Sequence, residues 1–144
     1  MSGLDELFRK GEERDLGLET ITNPFDLDFS YNFSFDNNSL FDDGASNDNV
    51  VVRDGKLVLD SGATGTFISL SKTAASNITQ VHVKAIGEDL GNVTFSISVD
   101  NGNTFQPVTL EALTNVTKSG KGLRLRVVFA ASTARVDAVA ILYK

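Results

Sequence analysis

With 144 residues the chain has the length of one domain and can bury one sizeable core. Its net charge of −6 argues against general affinity for nucleic acid or an anionic membrane, and the absence of Cys removes disulfides and thiolate metal sites. Ten Phe and two Tyr without Trp, set among Val, Ile, Thr and Ser, are the composition of strands rather than helices.

Residues 1–24 differ from the remainder. Ser2 is placed to cap a short helix over Leu4 to Arg14, with Leu4, Leu7 and Phe8 on one face, although Gly11 weakens it. Leu16 to Pro24 carries apolar residues without a lasting period, which suits an extended arm. A frayed terminus is the plain alternative. Leu4, Leu7, Phe8, Leu16, Leu18 and Ile21 favour an arm that orders against a partner or a neighbouring subunit, because a solvated tail has little use for them. The segment has no signal-like apolar core and no later run reaches membrane-spanning length, so a cytosol-like site of synthesis is expected. Sequons at Asn32, Asn37, Asn77, Asn92 and Asn115 are then ordinary strand and turn chemistry.

From Phe25 the alternation is strict. Leu27, Phe29, Tyr31, Phe33 and Phe35 fall on one face and Asp28, Ser30, Asn32, Ser34 and Asp36 on the other, which predicts a long strand. A turn-rich loop over 37–49 follows. Val50 to Arg53 and Lys56 to Asp60 flank an Asp54-Gly55 turn and predict a hairpin. Thr66 to Leu70 and Gln80 to Ile86 are the next strands. Val93, Phe95, Ile97 and Val99 alternate with Thr94, Ser96 and Ser98, and a tight turn at Asp100, Asn101, Gly102 and Asn103 sends the chain back as a second hairpin. Pro107 sits just before a short strand at Val108 to Leu110, where a proline suits an edge or a strand start. Residues 111–115 are read as one helical turn or a loop. Leu123, Leu125, Val127 and Phe129 alternate with Arg124 and Arg126, and in the last strand Val139, Ile141 and Tyr143 share a face with Asp137. The sum is an all-β, antiparallel sandwich of the jelly-roll type over 25–144, preceded by the arm over 1–24.

Few side chains carry chemistry. Asp36, Asp42, Asp43 and Asp48 in or beside one loop offer hard oxygen ligands for Ca²⁺, but they lack EF-hand spacing and are equally turn formers. No other metal or cofactor is expected. His82, the single histidine, lies in an alternating strand with no nucleophile or metal set to join it, so an enzyme is not expected. Arg124 and Arg126 share a strand face, with Arg135 nearby and Lys84 on a candidate neighbouring strand. They form either a solvated face or a contact for an acidic partner or subunit edge. The Phe residues are read as core and both Tyr fall in core phase, which leaves a sugar-binding face without its usual aromatic platforms.

Between Gly55 and Tyr143 the chain resembles a jelly-roll, discoidin-like module of tailed-bacteriophage virion proteins and some bacterial surface proteins. The likeness lies in Gly55-Lys-Leu-Val-Leu59, Gly65-Thr-Phe-Ile-Ser69, Ser96 to Phe105, Gly122-Leu-Arg-Leu-Arg126 and Val136 to Tyr143. Phe105 stands where that family often has Trp. The resemblance implies the sandwich and a non-enzymatic virion role, foremost as a capsid decoration or cement protein attached partly through its arm. Such a protein would be assembled in the host cytoplasm, form homo-oligomers and meet capsid or tail proteins. A tail, baseplate or fibre-adaptor component is the close alternative, and a carbohydrate-binding host-adhesion module, with a glycan as partner, is a third.

Overall fold

The computed structural model describes residues 25, 27–35 and 46–144. The strands are β1 (Phe29–Ser34), β2 (Ser46–Asp48), β3 (Val50–Arg53), β4 (Lys56–Leu59), β5 (Gly65–Ile68), β6 (Lys72–Thr73), β7 (Gln80–Glu88), β8 (Val93–Ser98), β9 (Gln106–Val108), β10 (Leu113–Asn115), β11 (Gly122–Phe129) and β12 (Arg135–Tyr143). A three-residue 3-10 turn, Leu90–Asn92, precedes β8. All named strand pairs are antiparallel. Sheet A has the order β10-β7-β12-β4-β3 with β1 also on β12, and sheet B has the order β2-β5-β11-β8-β9 with β6 also on β11. The protein is therefore a two-sheet, jelly-roll-like β-sandwich.

The alternation of each strand decides what lies between the sheets. In β11, Leu123, Leu125, Val127 and Phe129 are fully buried, while Arg124, Arg126 and Val128 are the partly exposed alternates. They meet Phe33, Val81, Val83, Val139 and Ile141 of sheet A in one core, which Phe67, Phe95 and Ile97 of sheet B complete. Strand β12 is buried on both faces. Its inward residues Val139, Ile141 and Tyr143 join that core, and Ala138, Ala140 and Leu142 form a smaller outer cluster with Leu27 and Ile86.

Four local expectations change. The first strand begins at Phe29 rather than Phe25, and Leu27 packs on the outer face of sheet A instead of sharing the side of Phe33. In β12 a register shift between Val136 and Ala138 bulges the chain at Asp137. Val136 and Val139 can then both face the core, while Asp137 lies 3.9 Å from Lys56 Nζ and 3.7 Å from Arg135 Nε. Residues 113–115 are strand β10 rather than a helical turn, because Leu113 to Asn115 pair with His82 to Gln80. The return strand of the second hairpin is β9, Gln106–Val108, rather than Val108 to Leu110, so Pro107 lies within an edge strand instead of just before it, and the connection spans 99–105. The predicted arm over 1–24 lies outside the described residues.

Strand β1 joins the sandwich through its inner face and its polar edge. Phe33 and Phe35 are fully buried, Tyr31 Oη donates to the Leu70 carbonyl at 2.7 Å, and Lys72 Nζ donates to the Ser30 carbonyl at 2.8 Å. Truncation of Phe33 leaves a large void beside β12. We expect Phe33→Ala to lower stability by about 3–5 kcal/mol, measured as a shift in the urea midpoint with an unchanged slope; a loss below about 1 kcal/mol would contradict this packing.

Candidate functional site

Two surfaces and one loop carry the polar and exposed apolar groups worth weighing. The first surface is one end of sheet A. There β10, β7, β12 and β1 place Leu113, His82, Leu142 and Ser30 in one row, and Val81, Tyr143 and Phe29 in the next. Phe25, Phe29 and Leu113 are the large exposed hydrophobics among the described residues, at 37%, 49% and 37% exposure. Phe25 and Leu113 lie beside His82 on the outer face, whereas Phe29 falls in the row of Tyr143 on the core-facing side of the same end. Phe25 meets the His82 ring edge-on at 5.1 Å, and Phe29 stacks on Tyr143 at 5.5 Å. Phe25 and Phe29 thus depart from the expectation that the Phe residues are core.

His82 itself is buried beneath Phe25. Its Nε2 lies 3.5 Å from Glu111 Oε1, which accepts a 2.9 Å hydrogen bond from Lys84 Nζ. Glu111 reaches this position from a left-handed residue, φ 64°, whose N–H donates to the Val83 carbonyl. Burial lowers the His82 pKa below its ordinary 6.5 and the Lys84 charge adds to this, partly opposed by Glu111. The imidazole is therefore held neutral. Among the described residues no serine or threonine hydroxyl bonds to it, and the geometry there is that of a packed histidine.

The loop 99–105 is built by Asp100. Its carboxylate accepts from Ser98 Oγ at 2.7 Å, Thr104 N at 2.9 Å and Thr104 Oγ1 at 2.5 Å, while Ser98 Oγ accepts from Gly102 N at 2.8 Å. Asn101 and Gly102 take the positive φ values, 62° and 93°, that reverse the chain. The hydrogen bond from Thr104, then that from Ser98, lowers the Asp100 pKa to about 2. The loop is also bound to β11: Asn101 N donates to the Gly122 carbonyl and Gly122 N to the Val99 carbonyl. At Gly120 a Cβ would lie 2.1 Å from the Val99 carbonyl oxygen, so the close approach requires glycine. Every polar group of Asp100 is committed inside the turn, which leaves it a structural residue.

The second surface is the outer face of sheet B. Arg124 and Arg126 lie side by side on it, as the alternation implied. Arg124 Nη1 donates to the Ser69 carbonyl at 2.9 Å, and its Nε donates to Asn101 Oδ1 at 3.3 Å. Arg126 lies over the Phe105 ring at 4.4 Å. Lys84 and Arg135, grouped with them from the sequence, belong to β7 and β12 of the opposite sheet. A groove of about 40 Å³ between Phe105, Gln106, Val116 and Thr117 has room for a water, not a sugar ring.

Of the acidic residues proposed for Ca²⁺, Asp48 ends β2 and is exposed, whereas Asp36, Asp42 and Asp43 lie outside the described residues. Among the described residues no group of three His, Cys, Asp or Glu is spaced to hold a metal. Leu4, Leu7, Phe8, Leu16, Leu18 and Ile21 also lie outside them. The sequence reading passed over Phe25, Phe29 and Leu113 as surface groups.

No family model and no curated protein matches this sequence. Among solved structures, CBM35 from Paenibacillus barcinonensis aligns over 79% of this chain and 99% of its own, with 12% identity and a TM-score of 0.49. The GH26-CBM35 β-(1,4)-mannanase of Podospora anserina aligns over 80% of this chain and 28% of its own, with 12% identity and a TM-score of 0.34. At this depth neither likeness assigns a family or a ligand.

Two outcomes test the site geometry. Because the folded state disfavours the His82 proton, the unfolded chain binds it first as pH falls below about 6.5, and stability declines through that range. The melting temperature should fall between about pH 7 and 5.5 in the native protein and change less in His82→Gln; equal slopes would refute a buried neutral imidazole. Asp100→Ala should raise amide exchange at Gly102 and Thr104 while leaving β7 and β12 protected, whereas unchanged exchange would show that the carboxylate does not hold the loop.

Proposed function

We propose that this protein is a non-enzymatic attachment module that joins a phage virion, foremost as a capsid decoration or cement protein. The observation that carries the attachment reading is the exposure of Phe25 and Leu113 beside His82 on the outer face of sheet A, with Phe29 exposed at the same end on the other side of the sheet. Exposed apolar groups concentrated in one place mark contact surfaces in monomeric domains. The apolar residues that precede Phe25 in the sequence, Leu4, Leu7, Phe8, Leu16, Leu18 and Ile21, are assigned to the same attachment. The buried His82 and the self-satisfied Asp100 supply no reactive centre. The virion as the assembly is supported by the motif resemblance from Gly55 to Tyr143, and it implies homo-oligomers and capsid or tail proteins as partners. A tail or baseplate position uses the same surface.

A second reading, a carbohydrate-binding adhesion module, is favoured by the half-exposed Phe29, whose ring stacks on Tyr143 at the end of sheet A. The two solved structures described above carry that activity in their names, and at their level of likeness this adds no weight.

Particles sedimented from cultures that carry the gene should contain the full-length protein by mass spectrometry. A Phe29→Ser, Leu113→Ser variant that retains its melting transition should lose about tenfold or more in particle occupancy, as removal of an apolar contact of roughly 1.5–3 kcal/mol per side chain requires. Absence from particles together with saturable binding of the isolated protein on a glycan array would replace the first reading with the second.

A further inference from the structure

Arg126 occupies an unusual position for a charged residue. Its Cα partners across sheet B are Ile68 on β5 and Ser96 on β8, and Ser96 in turn pairs with Pro107 on the edge strand β9. It therefore stands in the middle of the outer face, above Ser96 and beside Ser98, both of which are almost fully buried. Its guanidinium plane is held over Phe105, the aromatic residue that closes the 99–105 hairpin, and its Nε is buried without a hydrogen-bond partner. Among the described residues no carboxylate pairs with it. The charges that share this face do not compensate it: Asp100 is consumed within its own turn, and Asp48 lies in the edge strand β2 in the row of Thr66. Two residues away, Arg124 is aimed by Ser69 and Asn101.

The Nε–H is covered and leaves the guanidinium one hydrogen bond short, but the side chain is partly exposed, so its outer N–H groups can gain bonds from a ligand oxygen. The guanidinium is the side chain best shaped for such bonds, because its planar fork matches a carboxylate and stacking has already restricted its rotation. With the Phe105 face covered by the arginine, this surface lacks an aromatic platform for a sugar. The spacing favours an extended peptide. Alternate residues along a strand lie about 6.6–6.8 Å apart, so Arg124 and Arg126 repeat at the same interval as carboxylates placed at every second residue of an extended chain.

We propose that the Arg126–Phe105 stack, with Arg124 beside it, is the receptor for an extended acidic segment of a partner protein. This contact lies on the sheet opposite the apolar end of sheet A and does not depend on that surface.

The test uses the full-length ¹⁵N-labelled protein and a synthetic peptide of alternating Glu and Ser. The Arg126 Nε–H resonance should shift saturably on titration, and affinity should fall as NaCl is raised. Arg126→Lys, which keeps the charge but loses the fork and the stack, should weaken binding by about tenfold. Phe105→Leu should weaken it several-fold, and Lys84→Gln on the other sheet should leave it unchanged, with the amide spectrum confirming the fold in each case. A stationary Nε–H resonance, or equal affinity in Arg126→Lys, would overturn the proposal. So would saturable binding of an alginate oligomer with none of the peptide, since that would transfer the site to an acidic polysaccharide.

Discussion

The rest of the structure depends on the complete burial of strand β12. Polarity alternation does not set the register of a strand that is apolar on both faces from Ala138 to Tyr143; packing on each face must do so. Its inner residues are held by the sandwich core and its outer ones by the small cluster around Leu27. The bulge at Asp137 lets one strand serve both requirements, turning the polar start at Arg135 into the doubly buried run. Strands β7, β4 and β1 take their registers from it, and with them the placement of His82 and Phe29.

Sheet B solves the same problem differently. It buries one face of β11 and leaves the other to Arg124, Arg126 and Val128. The Ser98 and Asp100 hydroxyl and carboxylate network replaces apolar cover at the 99–105 loop, and its backbone bonds to Gly122 fix where β11 starts. Loop and arginines are thus one unit: Asn101 receives the Arg124 Nε–H and Phe105 carries the Arg126 plane.

Much of the fold was legible because side-chain period is a direct record of burial in strands. The alternation of Leu123 to Phe129, the Asp54-Gly55 turn and the edge position of Pro107 all follow from single-residue physics, and so does the shared face of Arg124 and Arg126. What escaped was decided by neighbours. A bulge at Asp137 leaves no mark in a sequence whose alternation continues on either side of it. Leu27 keeps the phase of Phe29, yet it precedes the first ladder bond of β1 and packs on the opposite face. Leu113 to Asn115 has no strand-like period, and it becomes a strand because β7 offers an unpaired edge there. The surface role of Phe25 and Phe29 was hidden for the same reason, since an aromatic at a sheet end looks like core until the covering layer is seen to stop short.

Pro107 has a further consequence for how copies of this molecule can meet. It removes a backbone donor from β9, and that strand and β2 at the other border of sheet B are each three residues long, as is β10 at one border of sheet A. Such borders are poor templates for intermolecular ladder formation. Among the described strands the longer borders lie on sheet A: β1, six residues paired to β12 alone, whose Ser30 carbonyl Lys72 already occupies, β3, four residues paired to β4, and the part of β7 beyond β10. Edge-to-edge growth is thereby steered away from sheet B.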